Sequence, residues 1–157
     1  MTYEQMLNQY LQNTFGECFG IDHFELSDEF CYYSDEERIT YTITWQDQDD
    51  EFIELVNEKY NANIQPWFFI FCLMHEIGHH ETIDEMTDEE LANDIFIRNS
   101  IQFFEHQGRA YINLKAEDLA TSWALDFISK NEEPLWEIQT HCWELMGKIY
   151  EEKGLTE

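Results

Sequence analysis

The chain contains few basic residues. Of its 157 residues, 8 are Lys or Arg and 34 are Asp or Glu, which gives a formal net charge of −26 at pH 7. A field of this sign repels the phosphates of nucleic acids and anionic membrane surfaces. The composition therefore argues against direct nucleic acid binding. It predicts either a highly soluble protein or one that recognises a basic partner.

The sequence also lacks long hydrophobic runs and paired cysteines. Its longest apolar run, 66–74, has about nine residues, too few to cross a bilayer. The opening MTYEQMLNQYLQ is polar and has no basic start, so we expect no signal peptide. The four cysteines include no CxxC pair, which argues against a zinc ribbon or a redox motif. Reduced thiols and a cytoplasmic location are the expectation.

Glycine and proline are scarce as well, with 6 and 2 residues, and no linker or low-complexity tract interrupts the chain. The sequence is 43% apolar and 16% aromatic, well above the level of a disordered chain. A chain of this length can bury a substantial core. We therefore predict a single domain over residues 1–157.

The first half of the chain combines helical and strand patterns. Apolar residues at helical spacing over 2–15 predict an amphipathic helix that ends near Gly16. RITYTITW (38–45) alternates apolar residues with threonine, as a half-buried strand does. FCYY (30–33) is predicted to be its antiparallel hairpin partner.

The second half of the chain reads as mainly helical. Pro66 suits the first turn of a helix that leads into HEIGHH. Thr87 and Glu90 form a capping-box pattern before another helix. Two further helices are predicted over 114–130 and 134–153, the second ended by Gly154. The predicted fold class is α+β, with a small antiparallel sheet in the N-terminal half packed on a mainly helical C-terminal half.

The segment HEIGH carries the clearest chemistry in the sequence. Residues at i and i+4 share one face of a helix, so His75 and His79 can each offer a ring nitrogen to one metal ion. Glu76 is turned by about 100° from His75, where it can reach a zinc-bound water without ligating the metal. Gly78 leaves room for close packing beneath the metal. His80 lies well around the helix and is interpreted as a bystander.

A catalytic zinc ion usually has three protein ligands. Asp84 or Glu85 could supply the third from the loop after the motif, although Thr82 stands where the extended motif needs a glycine. The preferred source is the later helix containing AEDLATSWALDF, in which Glu117 opens the face that carries the small Ala120. Its neighbour Asp118 is the alternative.

These segments together resemble a known family. PWFFIFCLMHEIGHH followed by EDLATSWALDF is similar to the ImmA/IrrE-type zinc peptidases, within the wider gluzincin group. Phe71 matches the phenylalanine that typically precedes the first histidine by four residues, and Trp123 replaces the phenylalanine of the family's E-x-x-A-x-x-F-A segment. The resemblance covers roughly residues 66–128. It implies a zincin-like fold, three zinc ligands and a general base: His75, His79, Glu117 and Glu76.

The chain departs from the family pattern in three ways, one of which is a long acidic helix between His79 and Glu117. Thr121 stands where the family often has an asparagine, and DFISKN replaces its usual LLMP ending. Such domains in bacteria and phages are associated with the cleavage of, or regulation through, DNA-binding repressors. The resemblance therefore implies an intracellular protein substrate.

A peptide hydrolase also needs a donor for the oxyanion that develops during the reaction. The sequence offers His106, Tyr111 in a short extended segment, and His141 on an amphipathic helix. His141 and Tyr111 are the preferred candidates.

Two functions fit these observations. The first is a zinc-dependent metalloendopeptidase in which Glu76 activates a zinc-bound water to hydrolyse a basic or DNA-binding protein. The alternative is a non-catalytic acidic inhibitor, or a DNA-mimic-like binding protein, on a zincin scaffold. A structural zinc site would need a fourth ligand, from His80 or Cys142.

Overall fold

The computed structural model of the protein describes residues 1–101 and 107–154. Their contacts divide the chain into two compact units, Met1–Thr44 with Ile128–Glu157, and Trp45–Phe127. The described residues are mainly helical and include a three-stranded sheet in the N-terminal half of the chain. The predicted α+β class is confirmed at this level. The single domain stays a prediction.

The first unit opens with a helix longer than predicted. Helix α1 (Tyr3–Leu11) continues through a π-helical turn (Gln12–Gly16) into α2 (Glu17–Phe19). The predicted end at Gly16 is wrong, because Gly16 keeps helical backbone angles. The chain leaves the helix only at Gly20, whose φ of 71° lies in the left-handed region that favours glycine.

The sheet is mixed rather than antiparallel. Strands β1 (His23–Leu26), β2 (Cys31–Tyr33) and β3 (Arg38–Tyr41) lie in the order β1-β3-β2. The predicted β2–β3 hairpin is confirmed, with Tyr32 opposite Ile39. The antiparallel prediction for the whole sheet is wrong, because β1 pairs parallel with β3. Strand β1 has four alternating residues, the shortest run from which a strand can be recognised, and it was not predicted from the sequence.

Strand β3 is shorter than the alternating pattern predicts. The Thr42 hydroxyl accepts a hydrogen bond from the Thr44 backbone N–H at 3.2 Å, and the two hydroxyls lie 3.0 Å apart. Such local side-chain bonds compete with the ladder of a sheet. The strand therefore ends at Tyr41, and Trp45 is 55% exposed rather than on a buried face.

Helix α8 (Glu132–Lys153) completes the first unit by packing on α1. Gly154 ends this helix in a left-handed conformation, as predicted. The Tyr41 hydroxyl donates a hydrogen bond to the Asn8 side chain, joining the sheet to α1. Apolar side chains of the two helices form the core between them: Leu7, Leu11, Cys142 and Ile149.

The regular elements among the described residues of the second unit are helices. Its α-helices are α3 (Asp49–Tyr60), α4 (Phe68–Thr82), α5 (Asp88–Ser100), α6 (Gln107–Ile112) and most of α7 (Lys115–Lys130). Pro66 lies in a 3-10 turn (Gln65–Trp67) directly before α4, as predicted for a first-turn proline. The Thr87–Glu90 capping box at the start of α5 is also confirmed.

Helix α4 lies at the centre of this unit because it is apolar on nearly all sides. Five of its side chains are fully buried: Ile70, Phe71, Leu73, Met74 and Ile77. Burying each such side chain stabilises the fold by about 1.5–3 kcal/mol. Among the described residues, no helix is both long and apolar enough to span a membrane. The burial of α4 carries the HEIGH motif into the interior of the unit.

Candidate metal centre

The side chains of His75 and His79 lie one turn apart on α4 and converge on one carboxylate. Their ring centroids are 4.8 Å apart, and the rings are nearly perpendicular. The Nε2 atom of His75 is 2.7 Å from Oε2 of Glu117 on α7, and Nε2 of His79 is 3.2 Å from the same oxygen. One ligand atom of each residue lies within 4.8 Å of the others. This group can therefore hold a metal ion.

The charged forms of these three side chains stabilise one another through electrostatic interactions. Burial alone would raise the pKa of Glu117, whose side chain is 5% exposed, but the two imidazoles outweigh it and hold this pKa far below its usual range. Burial alone would lower the pKa of His75, but the Glu117 carboxylate outweighs it and raises this pKa. Without a metal, the centre thus favours a protonated His75 beside an ionised Glu117.

The close approach of α4 and α7 makes this convergence possible. A side-chain carbon added to Gly78 would lie 2.6 Å from the carbonyl oxygen of Ala120 and 3.1 Å from its Cα. A Cβ atom is essentially never found closer than 3.0 Å to a backbone atom of another helix, so the two helices require a glycine at this point. The expected close packing beneath the histidines, between Gly78 and the small Ala120, is confirmed.

A buried aspartate of α5 fixes the start of α7. The carboxylate of Asp94 accepts hydrogen bonds from the backbone N–H groups of Lys115 and Ala116, each at 2.8 Å. These are among the first N–H groups of α7, which have no partner within the helix. Asp94 thereby sets the position of the helical turn that carries Glu117. Sequence reasoning missed this residue because a cap supplied by another helix leaves no local pattern.

The second ring nitrogen of His75 also has a partner. The Thr121 hydroxyl lies 3.0 Å from Nδ1 of His75, and Thr121 is buried on α7 one turn after Glu117. When Nε2 faces the metal position, Nδ1–H can donate to this hydroxyl, which fixes the tautomer and the orientation of the ring. The sequence signal was the departure from the family's asparagine at this position, but the sequence alone does not connect Thr121 to His75.

Glu76 is buried beside this group, only 9% exposed. Burial raises the pKa of the Cys72 thiol one turn earlier on α4, and the nearby Glu76 carboxylate raises it further. A carboxylate rarely lies this deep in a protein without a functional or structural partner. The structure thus places Glu76 in the interior, next in the chain to the first histidine.

Tyr111 and Arg98 lie beside Glu117. Partial burial raises the pKa of Tyr111, and the Glu117 carboxylate beside its hydroxyl raises it further, so Tyr111 stays protonated at neutral pH. Nη2 of Arg98 on α5 is 3.7 Å from Oε1 of Glu117, and the guanidinium carbon is 5.8 Å from the centre of the Tyr111 ring. Tyr111 lies on helix α6 rather than in the expected extended segment. Sequence reasoning missed Arg98, which belongs to no motif.

The alternative third ligands do not join the group. The Asp118 carboxylate instead accepts a hydrogen bond from the Tyr60 hydroxyl and lies 3.3 Å from Nζ of Lys59. Asp84 and Glu85 are exposed in a 3-10 turn after α4. Among the described residues, the carboxylate that meets both histidines is that of Glu117.

The remaining candidates belong to the first unit or lie outside the described residues. His141 belongs to the first unit, where its ring centroid is 4.4 Å from that of Tyr10 and Nδ1 is 3.8 Å from a carboxylate oxygen of Glu144. Its catalytic role stays a prediction. His106 lies outside the described residues. Cys142 is buried in the first unit, and burial raises the pKa of its thiol to about 12.

Comparisons of the chain with protein-family models, with curated proteins and with solved structures give no match. The resemblance to ImmA/IrrE-type peptidases therefore rests on the segments HEIGH and EDLATSWALDF. A function has to be argued from the chemistry of the site itself.

Proposed function

We propose that the protein is a zinc-dependent metallopeptidase on a zincin-like scaffold, which hydrolyses peptide bonds of an intracellular protein. The observation that carries this proposal is the convergence of His75, His79 and Glu117 in the protein interior, with the buried Glu76 directly after the first histidine. The free cysteines agree with the reducing cytoplasm that we propose as its location.

Zinc fits the chemistry of the donors. Two imidazole nitrogens with one carboxylate oxygen are a common ligand set of catalytic zinc, which leaves its fourth position open. A structural site would instead close the shell with a fourth protein ligand. A zinc ion held by His75, His79 and Glu117 would act as a Lewis acid and lower the pKa of a water molecule to about 7.

Glu76 and Thr121 would have separate roles in the reaction. Glu76 would accept a proton from the attacking water molecule while the oxygen of that water bonds to the scissile carbonyl carbon. The same proton would then pass from Glu76 to the leaving nitrogen as the C–N bond breaks, giving a carboxylic acid and an amine. Thr121 would hold the His75 ring in the orientation that its ligand role requires.

The developing oxyanion needs hydrogen-bond donors nearby. Tyr111 is suited to this role because its hydroxyl lies beside the Glu117 carboxylate and is protonated at neutral pH, and Arg98 lies next to it with a permanent positive charge. We propose these two side chains as the stabilising donors. The role of His141 remains a separate prediction.

The proposed substrate is a basic protein, such as a DNA-binding protein. A net charge of −26 attracts a positively charged partner over long distances and raises its association rate. The ImmA/IrrE resemblance supports the same class of substrate. The charge equally favours the second candidate, an acidic inhibitor or DNA-mimic-like protein that binds a basic partner without cleaving it.

Elemental analysis of the purified protein tests the metal. We expect one zinc per chain in the wild type, loss of zinc in Glu117→Ala and retention in Asp118→Ala, because the Asp118 carboxylate faces Tyr60 and Lys59. The two positions are adjacent, so the pair controls for loss of one negative charge on α7. Zinc loss in Asp118→Ala alone would refute the ligand assignment.

Hydrolysis is tested with two unfolded proteins of opposite charge, reduced and alkylated lysozyme and casein. We expect cleavage of the basic protein to exceed that of the acidic one. Glu76→Gln should keep zinc but lower the rate by about 10²–10⁴-fold, the usual contribution of a general base. Unchanged cleavage by Glu76→Gln would refute the mechanism. Tight binding of the basic protein by wild type and Glu76→Gln alike, without cleavage, would establish the second candidate.

A further inference from the structure

A mostly apolar pocket opens next to the metal centre in the second unit. Its volume is about 410 Å³, within the range of about 300–1,000 Å³ that small-ligand sites occupy. Its apolar walls come from Phe52 and Leu55 of α3 and from Ile101 and Ile112.

Two contacts connect the pocket to the metal centre. Tyr111 lines the pocket and also lies beside the Glu117 carboxylate. The ring of Phe52 is 6.2 Å from that of Phe71, which in turn is 6.1 Å from the His75 ring. A peptide whose scissile bond lies at the metal could therefore place a nearby side chain in this pocket.

The rim of the pocket is acidic. Asp49 and Glu51, both in the first turn of α3, are among its lining residues. The other polar lining residues, Gln48, Gln107 and Tyr111, are neutral, and the described lining includes no Lys or Arg. Apolar walls below carboxylates match the two parts of a long basic side chain, an aliphatic stem and a cationic head.

Gly108 on α6 keeps the pocket open. A side-chain carbon added there would lie 3.1 Å from Cδ1 of Leu55 and 3.5 Å from Oε1 of Glu51. It would thus occupy the space between the apolar wall and the acidic rim, where the stem of a bound side chain would pass.

We propose that this pocket binds a lysine or arginine side chain of the peptide substrate, close to the bond that is cleaved. This rests on the proposed peptidase function and narrows its substrate to chains with a basic residue at one position. Phe52 and Leu55 contact the aliphatic stem, and Asp49 and Glu51 attract the cationic group.

The test measures the binding of short peptides by NMR, using the full chain with uniform ¹⁵N labelling. The probes are capped pentapeptides of alanine whose central residue is lysine, norleucine or diaminopropionic acid. Norleucine keeps the stem without the charge, and diaminopropionic acid, measured at a pH low enough to protonate its amine fully, keeps the charge on a one-carbon stem. The amide signals of Phe52, Leu55 and Gly108 report occupation of the pocket.

The proposal predicts that the lysine peptide binds most tightly and shifts these three signals. Equal binding of norleucine would show that the acidic rim contributes nothing. Equal binding of diaminopropionic acid would show that the attraction is only the general charge of the protein. Either result, or the absence of shifts at millimolar peptide, would overturn the proposal.

A pair of variants on α3 adds a matched control. Glu51→Gln should weaken binding of the lysine peptide about threefold, as expected for one exposed ion pair, and leave norleucine binding unchanged. Glu54→Gln removes the same charge from an exposed position that does not line the pocket and should leave both affinities unchanged. Equal weakening by the two variants would contradict the proposal.

Failure of this inference can be told apart from failure of the peptidase function. Lysine-selective binding without hydrolysis of any substrate would leave the pocket proposal standing and refute the peptidase. Hydrolysis with cleavage sites that show no preference for a neighbouring lysine or arginine would leave the peptidase standing and refute the pocket proposal.

Discussion

Gly78 and Ala120 bring the backbones of α4 and α7 into contact, with 2.6 Å between the position of a Gly78 side-chain carbon and the Ala120 carbonyl oxygen. This contact lies one residue before His79 and three after Glu117. The side chains of His75, His79 and Glu117 can meet only because the helices approach this closely. A glycine inside the HExxH motif therefore has a packing role in this protein.

Replacing Gly78 with alanine should separate the two helices. We expect Gly78→Ala to lower the free energy of unfolding by about 1–3 kcal/mol, the usual cost of overpacking, and to weaken zinc binding. Gly147→Ala on α8 is the control, since no atom lies within 4 Å of the added carbon, and it should stabilise by about 0.5–1 kcal/mol. Urea denaturation measures both. Equal changes in the free energy of unfolding for the two variants would mean that α4 and α7 are not in tight contact.

Removing the Asp94 carboxylate should loosen the turn of α7 that carries Glu117. Asp94→Ala leaves the Lys115 and Ala116 N–H groups without their acceptor, and we expect a loss of about 1–2 kcal/mol, as for other helix caps. Zinc affinity should fall as well. Glu89→Ala, at an exposed position in the first turn of the same helix, should leave zinc affinity unchanged and alter the free energy of unfolding by less than about 1 kcal/mol. Calorimetric zinc titration and urea denaturation test this, and an unaltered zinc affinity in Asp94→Ala would count against a positioning role.

Thr121 should contribute to zinc affinity through His75. Thr121→Val keeps the shape of the side chain but removes the hydroxyl next to Nδ1, so we expect zinc binding to weaken about 10–100-fold. Thr121→Ser restores the hydroxyl and should recover most of the affinity. Competition with a zinc chelator of known affinity gives the constants. A serine variant as weak as the valine variant would point to packing instead of the hydrogen bond.

The metal-free protein should depend on pH through the His75–Glu117 pair. The lowered pKa of Glu117 contributes stability above the unfolded value of about 4.3, and this is lost as the pH falls through the folded pKa. The raised pKa of His75 contributes stability below the unfolded value of about 6.5, and this is lost as the pH rises through the folded pKa. At a pH between the two unfolded pKa values, the Glu117 carboxylate and the His75 imidazole therefore both contribute fully to stability.

Urea denaturation in the presence of EDTA, from pH 4 to pH 9, measures this effect. The difference in unfolding free energy between wild type and Glu117→Gln should be largest, about 3 kcal/mol, near pH 5–6 and should shrink towards pH 9. Taking the difference removes the general effect of the net charge. A difference that grows towards pH 9 would contradict the proposed protonation of His75.

Several elements of the fold could be predicted because their signals are local. The capping box at Thr87 and Glu90 needs only residues three positions apart, and it is confirmed. The first-turn proline before α4 and the glycine after α8 follow from single-residue backbone preferences. The parallel pairing of β1 could not be predicted, since it joins His23–Leu26 to a strand after the intervening hairpin partner.

The HEIGH spacing by itself determined that two histidines share a helix face and that a glutamate lies beside them, because the helical repeat fixes these directions. Only the tertiary structure decided between Glu117 and Asp118, which are adjacent in the chain. Helix α7 turns one of them towards the histidines and the other towards Tyr60, and its direction depends on contacts at Gly78 and Asp94. Those contacts join residues 42 and 21 positions apart, beyond the reach of any periodic pattern.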